Sequence, residues 1–448
     1  MNLPEKTKFA RGSFLYRMMK IAVPVAFQAM LQSSFSMIDE IMVGQLGTAQ
    51  IAAVEIGSKP GFIFNFVSAA VATVTGIMVS QYMGKQDEES VRGSMAVNMY
   101  AVLIIALLTA VSCAAVPERI AGMFSGDASV LGEASGYIRI VAWAYPLSGI
   151  VSILAVELRC RDHSSYPLCI SAISAVTNTV LNYILIFGHF GIEPLGVRGA
   201  AAASVISQLI GLAVMCAVYR GLCRFSIRPD LKGDALRQYL VMLLPIVINE
   251  FLWSVGQNVF TSIYGHIGTG ELAAMSLTGP MQGLFIGAMS GISQAAGIMI
   301  GKRLGEGSYD AAYREAIKLC AYGLLGSIML SALLLGIRGS YTGAYAVGQD
   351  VRDTGAALLA VFAVLAPVKV ENMILGGGVI RSGGRTKYIM LIDMAGTWLV
   401  GVPLGFIAGI MLGLPIVWTY FILSQEELFR LVITIFMFRS RKWMNTIE

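Results

Sequence analysis

Apolar residues run along almost the whole chain in stretches of about twenty or more, separated by short loops that carry most of the charge. A membrane-crossing helix needs roughly 20 consecutive, mostly apolar residues. The pattern predicts twelve such spans, at 14–43, 53–82, 95–117, 130–158, 165–188, 199–219, 238–264, 272–301, 316–337, 355–380, 387–411 and 414–438. The expected class is therefore an all-α membrane protein with twelve transmembrane helices. Composition agrees: the 448 residues are 56% hydrophobic and 13% charged, with mean hydropathy +0.71. A soluble globular domain carries about 25% charged residues.

The basic residues outside the spans fall on alternate loops. On one side are Lys6, Lys8, Arg11, Arg17 and Lys20 before or at the start of the first span, then Lys85 and Arg92, Arg159 and Arg161, and the run from Arg220 to Arg237. The same side has Lys302 and Arg303, Arg381 and Arg385, and the tail Arg439, Arg441 and Lys442. The opposite side has only Arg119, Arg198, Arg338 and Arg352. Cytoplasmic loops are the ones enriched in Lys and Arg. Both termini are thus expected in the cytoplasm of a multi-pass cell-membrane protein. The net charge of +5 reflects this topology and not nucleic-acid binding. No cleavable signal is expected, because the first apolar segment is full length. The six cysteines have neither paired nor metal-ligand spacing and read as packing residues.

Self-comparison adds an internal repeat. Gly44–Val54 (GQLGTAQIAAV) aligns with Gly265–Met275 (GHIGTGELAAM), an offset of 221 residues. At that offset Pro24 meets Pro245, Gly84 meets Gly305 and Pro146 meets Pro367. Each copy holds six spans, so both enter from the same side and the repeat is parallel. Two pseudo-symmetric six-helix lobes are expected, residues 1–222 and 223–448, with 223–237 as a cytoplasmic connector.

Against this apolar background a few polar positions stand out. Gln28, Gln32, Ser36 and Asp39 share one helical face of the first span. Glu250, Ser254, Gln257 and Thr261 do so on the seventh. Asp39 and Glu250 break the repeat, since their counterparts are Phe260 and Ala29. An ionisable side chain inside a membrane helix is costly and marks an ion or substrate path. The expected reading is ion coupling at Asp39 and Glu250, with Gln28, Gln32, Ser36, Ser254 and Gln257 lining a cavity. Ser171, Ser174, Asn178 and Asn182 form a polar stripe on span five, and Ala200, Ser204 and Gln208 another on span six. Their amide and hydroxyl oxygens suit a hard cation such as Na⁺, or hold a protonatable Asp39. Glu371, four residues after Pro367, is a further acid expected to share the second-lobe cavity, with Lys369 roughly opposite it. Glu157, Asp393 and Glu55 are expected near helix ends or paired.

No phosphate-binding loop, HExxH or GxSxG motif is present, and the three histidines fall at loops or helix ends. No enzymatic activity and no cofactor beyond a coupling ion is expected. The alternatives are a lipid-linked precursor flippase, whose cavity is more cationic, and a non-transporting membrane receptor or glycan-handling enzyme.

Met37–Gly47 (MIDEIMVGQLG) followed by Ile51-Ala-Ala53 resembles the first-helix signature of the multidrug and toxic compound extrusion (MATE) family. So does Asn182–Gly188 (NYILIFG) followed by Gly196–Ser204 (GVRGAAAAS). The resemblance covers the whole chain. It implies a monomeric antiporter driven by Na⁺ or H⁺ that exports drugs and amphipathic organic cations across the bilayer. It also implies a first-lobe cation site at Asp39, Asn178, Asn182, Ala200 and Ser204. Glu250 matches the helix-seven acid of the bacterial multidrug branch, and Glu371 approximately matches its helix-ten acid. Asn182 stands where some relatives have a second acid.

Overall fold

The computed structural model of the chain describes residues 13–223 and 233–447. Lys6, Lys8, Arg11 and connector residues 224–232, with Arg224, Arg228 and Lys232, lie outside the described residues. Among the described residues all regular structure is helical. The long elements are α1 (Phe14–Gly44), α2 (Thr48–Lys85) and α3 (Glu88–Ala115), followed by the short α4 (Pro117–Gly122). Then come α5 (Ala128–Val141), α6 (Ala144–Cys160), α7 (Ser165–Phe187) and α8 (Gly196–Leu222). After the connector follow α9 (Gly233–Ile267), α10 (Thr269–Gly305), α11 (Tyr309–Gly343) and α12 (Gln349–Asn372). The last part is more broken: α13 (Thr386–Met394), α14 (Val402–Phe406), α15 (Ile416–Leu423) and α16 (Gln425–Arg439), with wide π-turns at Met373–Ile380, Ala395–Gly401 and Ile407–Met411.

Among the described residues ten helical stretches are long and apolar enough to cross a membrane, and the bent pair α5–α6 makes an eleventh. The 43° bend at residues 142–143 interrupts the fourth expected span. Its cause is local: Pro146 has no N–H to give the Ala142 carbonyl four residues back. The last expected span, 414–438, is the pair α15 and α16 joined at Ser424. Neither is long enough to span alone, at 8 and 15 residues, and Glu426, Glu427 and Arg430 fall early in α16.

The helices form two compact packing units. One comprises Gln28–Arg161 and Tyr166–Leu252, the other Met1–Phe27, Asp162–Ser165 and Trp253–Glu448. These units cut across the 1–222 and 223–448 halves of the repeat, because α1 divides at Phe27 and α9 at Leu252.

In the first unit the core is built from small and aromatic residues of α2, α3, α5 and α6, with Phe64 stacked on Tyr145 at 5.2 Å. Where the helices leave the core, Arg161 bridges Glu88 (2.8 Å) and Glu157 (2.9 Å), and the Tyr219 hydroxyl donates to Glu157. Glu157 is thus a paired helix-end acid, as expected; Glu55 pairs with Lys59.

In the second unit the opening half of α1 lies on α10 so closely that a Cβ at Gly291 would sit 2.1 Å from the Ala22 carbonyl oxygen. Only glycine permits that approach between membrane helices. Nearby, Glu315 accepts from Arg17 (3.2 Å) and Arg303 (2.9 Å), and Lys302 meets Asp162 at 3.1 Å. Past α12 the helix widens where the Ser293 hydroxyl donates to the Met373 carbonyl at 2.6 Å. A polar partner inserted into the helical ladder is a recognised cause of such a widening.

Candidate functional site

In the first unit the residues singled out on three separate spans meet. Asp39 is near the end of α1, Asn178 and Asn182 are one turn apart on α7, and Ala200 and Ser204 are one turn apart on α8. Asn182 Nδ2 donates to Asp39 Oδ1 at 2.7 Å and also lies 3.2 Å from Asn178 Oδ1. Asn178 Nδ2 is 3.4 Å from Ser204 Oγ, and that hydroxyl donates to the Ala200 carbonyl at 3.1 Å. With its amide turned end for end, Asn178 donates to both Asp39 carboxylate oxygens at 3.0 Å. The two ends of a terminal amide are told apart only by the hydrogen bonds they make, and this orientation gives the Asp39 carboxylate two further donor contacts.

Two features set the electrostatics. Among the described residues Asp39 has no ion-pair partner; its carboxylate is answered by neutral amides. The second feature is Asn182 Oδ1, which is buried in a side chain 2% exposed and accepts no hydrogen bond among the described residues. A buried polar atom left unmatched costs about 1–3 kcal/mol, and here it lies beside a carboxylate. Carboxylate, amide and hydroxyl oxygens of this kind are hard-cation ligands. Val43, Ile186 and Ala200 form an apolar floor beneath them, with Tyr137 of α5 packed against it and within electrostatic reach of Asp39. Tyr137 was not legible in the sequence, since α5 contributes no other polar side chain to the cluster.

Of the other α1 positions, Gln28 is tied to Ser171 (2.7 Å) and to Arg159 (2.8 Å). Gln32 and Ser36 are exposed on the Asp39 helix. Glu250 is partly buried on α9 and falls in the same packing unit as Asp39. Ser254 and Gln257, expected to share its cavity, fall in the other unit.

The second unit has a polar cavity of about 220 Å³ bordered by α9, α10, α12, α15 and α16. Gln257 and Thr261 line it, and Ser254 does not. Lys369 faces it, whereas Glu371, nearly opposite on α12, turns to α11, where Oε1 comes within 3.4 Å of a Cβ built at Gly323 and the Cys320 thiol bonds its carboxyl. Glu371 therefore does not share the cavity. Sequence reasoning missed the acids that do, Glu426 and Glu427. Arg430 binds Glu426 at 3.2 Å and reaches Glu427 at 3.9 Å; Asn372 Nδ2 donates to Glu427 at 2.9 Å; Lys369 stands 3.8 Å from Glu427. The signal was present: an Arg inside an apolar span needs a partner three or four residues away. Among the described residues no group of three or more His, Cys, Asp or Glu is placed to hold a metal ion.

The sequence model of the MatE family matches residues 24–184 and again 245–407, so the two matches begin at the paired prolines of the repeat. The chain is 29% identical to the probable multidrug resistance protein NorM of Rhizobium meliloti, over 90% of this chain and 89% of that one. It is 23% identical to the uncharacterized transporter YisQ of Bacillus subtilis, over 96% and 95%. Among solved structures, MATE in complex with MaL6 superposes with a TM-score of 0.89 at 15% identity, covering 98% of both chains. The outward-facing conformation of a multidrug resistance MATE family transporter gives 0.87 at 15% identity, also covering 98% of both. At such identity the structures speak to fold alone.

Proposed function

The chain belongs to the MatE family, and from that premise we propose that it is a Na⁺-coupled antiporter exporting drugs and amphipathic organic cations across the cell membrane. The observation that carries this reading is the Asp39 cluster: a membrane carboxylate without a cationic partner among the described residues, beside the unmatched Asn182 oxygen. A Na⁺ held by Asp39, Asn178, Asn182 and Ser204, with the Ala200 carbonyl, satisfies both. Ion and cationic cargo compete for one negative charge, and that competition is what exchange requires. Protons are the other coupling ion such a carboxylate can use. Glu250 serves as a second coupling acid, while Glu371, turned to α11, is left out. The named relatives are a probable multidrug resistance protein and an uncharacterized transporter, and the first supports the cargo class. We take the transporter as a monomer in the bilayer, with residues 1–222 and 223–448 as its lobes.

Ethidium efflux from everted vesicles, energised in turn by a Na⁺ gradient and a proton gradient, tests this directly. Efflux driven by Na⁺ alone is the expected result. Efflux driven by protons alone replaces the ion, and none under either gradient removes the cargo class. Cytoplasmic termini are tested by single cysteines at positions 230 and 349 in a cysteine-free background. Position 230 should label from inside and position 349 from outside; labelling of both from one side overturns the topology.

A further inference from the structure

We propose that the cavity among α9, α10, α12, α15 and α16 binds a small zwitterion, an ammonium and a carboxylate on one short frame. This rests on the reading of the chain as a small-molecule transporter, but on a different site from Asp39. At about 220 Å³ the cavity is smaller than the roughly 300–1,000 Å³ of a drug pocket, so its occupant is of amino-acid size. The wall presents both signs of charge, Lys369 against Glu426 and Glu427, together with the Gln257 amide and the Tyr420 hydroxyl.

The four charged groups are not held equally. Arg430 is 7% exposed and bound to Glu426 at 3.2 Å, and Asn372 holds Glu427 at 2.9 Å. Lys369 is the loose member: its ammonium stands 3.8 Å from Glu427 Oε1, and its side chain is 37% exposed against 10% for Glu427. It can turn to an incoming carboxylate while the ligand's ammonium takes the Glu427 oxygen it leaves. Charge balance selects the ligand. Glu426 and Glu427 are matched by Lys369 and Arg430, and the neighbouring Asp393 is matched by Arg381 at 3.9 Å. Glu371 faces α11 and lies outside the set. Uncompensated charge in a low-dielectric site is strongly disfavoured. A cation leaves the cavity one charge in excess and an anion leaves it one short; a zwitterion leaves it neutral.

The test uses the purified full chain in detergent and follows Tm with three probes of equal length: δ-aminovalerate, n-pentylamine and valerate. A ligand that binds only the folded state raises Tm by mass action. Wild type should show a saturable rise of a few degrees with δ-aminovalerate and none with the singly charged probes. In Lys369→Met the balance becomes one negative charge in excess. The δ-aminovalerate response should weaken by at least about tenfold in concentration, and a pentylamine response should appear. A purely structural Lys369 would not exchange one probe for the other. Glu426→Gln should produce the reverse switch, to valerate. Pentylamine acting on wild type as strongly as δ-aminovalerate, or no saturable response to any probe, overturns the proposal. Binding is read here without a gradient. Efflux lost with these shifts intact removes the antiporter reading alone, and shifts absent with ethidium efflux intact remove this one alone.

Discussion

The Asp39 cluster and the α16 cluster both bury carboxylates, and they neutralise them by different means. Around Asp39 the partners are amides at 2.7 Å or within a turn of it, so the unit of negative charge remains at the site. Around Glu426 and Glu427 the partners are Arg430 and Lys369, and the net charge is zero. A site that keeps its charge responds to the arrival of an ion; a site that cancels its charge holds helices together and discriminates by balance. The partner, not the residue type, thus decides whether a buried carboxylate keeps its charge or cancels it.

The largest expected effect comes from removing the charge where it is kept. Asp39→Asn should lower coupled efflux by at least about tenfold, equivalent to about 1.4 kcal/mol of lost driving interaction, with expression and Tm near wild type. An efflux rate equal to wild type would take Asp39 out of the mechanism. Next is breaking the balanced cluster. Arg430→Met leaves Glu426 and Glu427 facing Lys369 alone and should cost about 3–5 kcal/mol, as for a buried pair that loses one partner. Adding Glu426→Gln should recover much of the lost Tm; no recovery would mean that Arg430 acts through packing. Smaller still is the Na⁺-minus-K⁺ difference in Tm. Glu250→Gln should shrink it and Asp39→Asn should leave part of it, and a difference unchanged by Glu250→Gln makes that residue a packing group. The smallest effect belongs to Glu371→Gln. Its carboxyl meets Cys320 and the Gly323 turn, so efflux should stay within about twofold of wild type, well under 1 kcal/mol. A severe loss would return Glu371 to the ion path.

Much of this was legible because helical periodicity and membrane cost are strong rules. The spans, the repeat and the meeting of Asp39 with Asn178, Asn182 and Ser204 follow from spacing and from the family-like motifs. The bend before Pro146 was hidden because proline interrupts some helices and is absorbed by others, as Pro24 and Pro245 are here. Glu371 and Lys369 sit two residues apart, so only one faces a given cavity, and spacing alone does not say which. Glu426 and Glu427 escaped notice because their stretch still reads as apolar overall and their partner Lys369 is remote in sequence. Contacts between distant helices depend on packing, and periodicity reports only faces.

The division of α1 at Phe27 and of α9 at Leu252 has a consequence for biogenesis. Neither packing unit is a contiguous piece of chain. While a ribosome is still making the first half, α1 lacks the α10 surface on which Ala22 packs, since Gly291 has not been synthesised. The unit that holds Asp39 is likewise incomplete until the α9 segment up to Leu252 emerges. A chain cut within residues 224–232 should then yield two fragments that are each degraded when made alone and are rescued only when made together, so that quality control reads the duplicated halves as one protein.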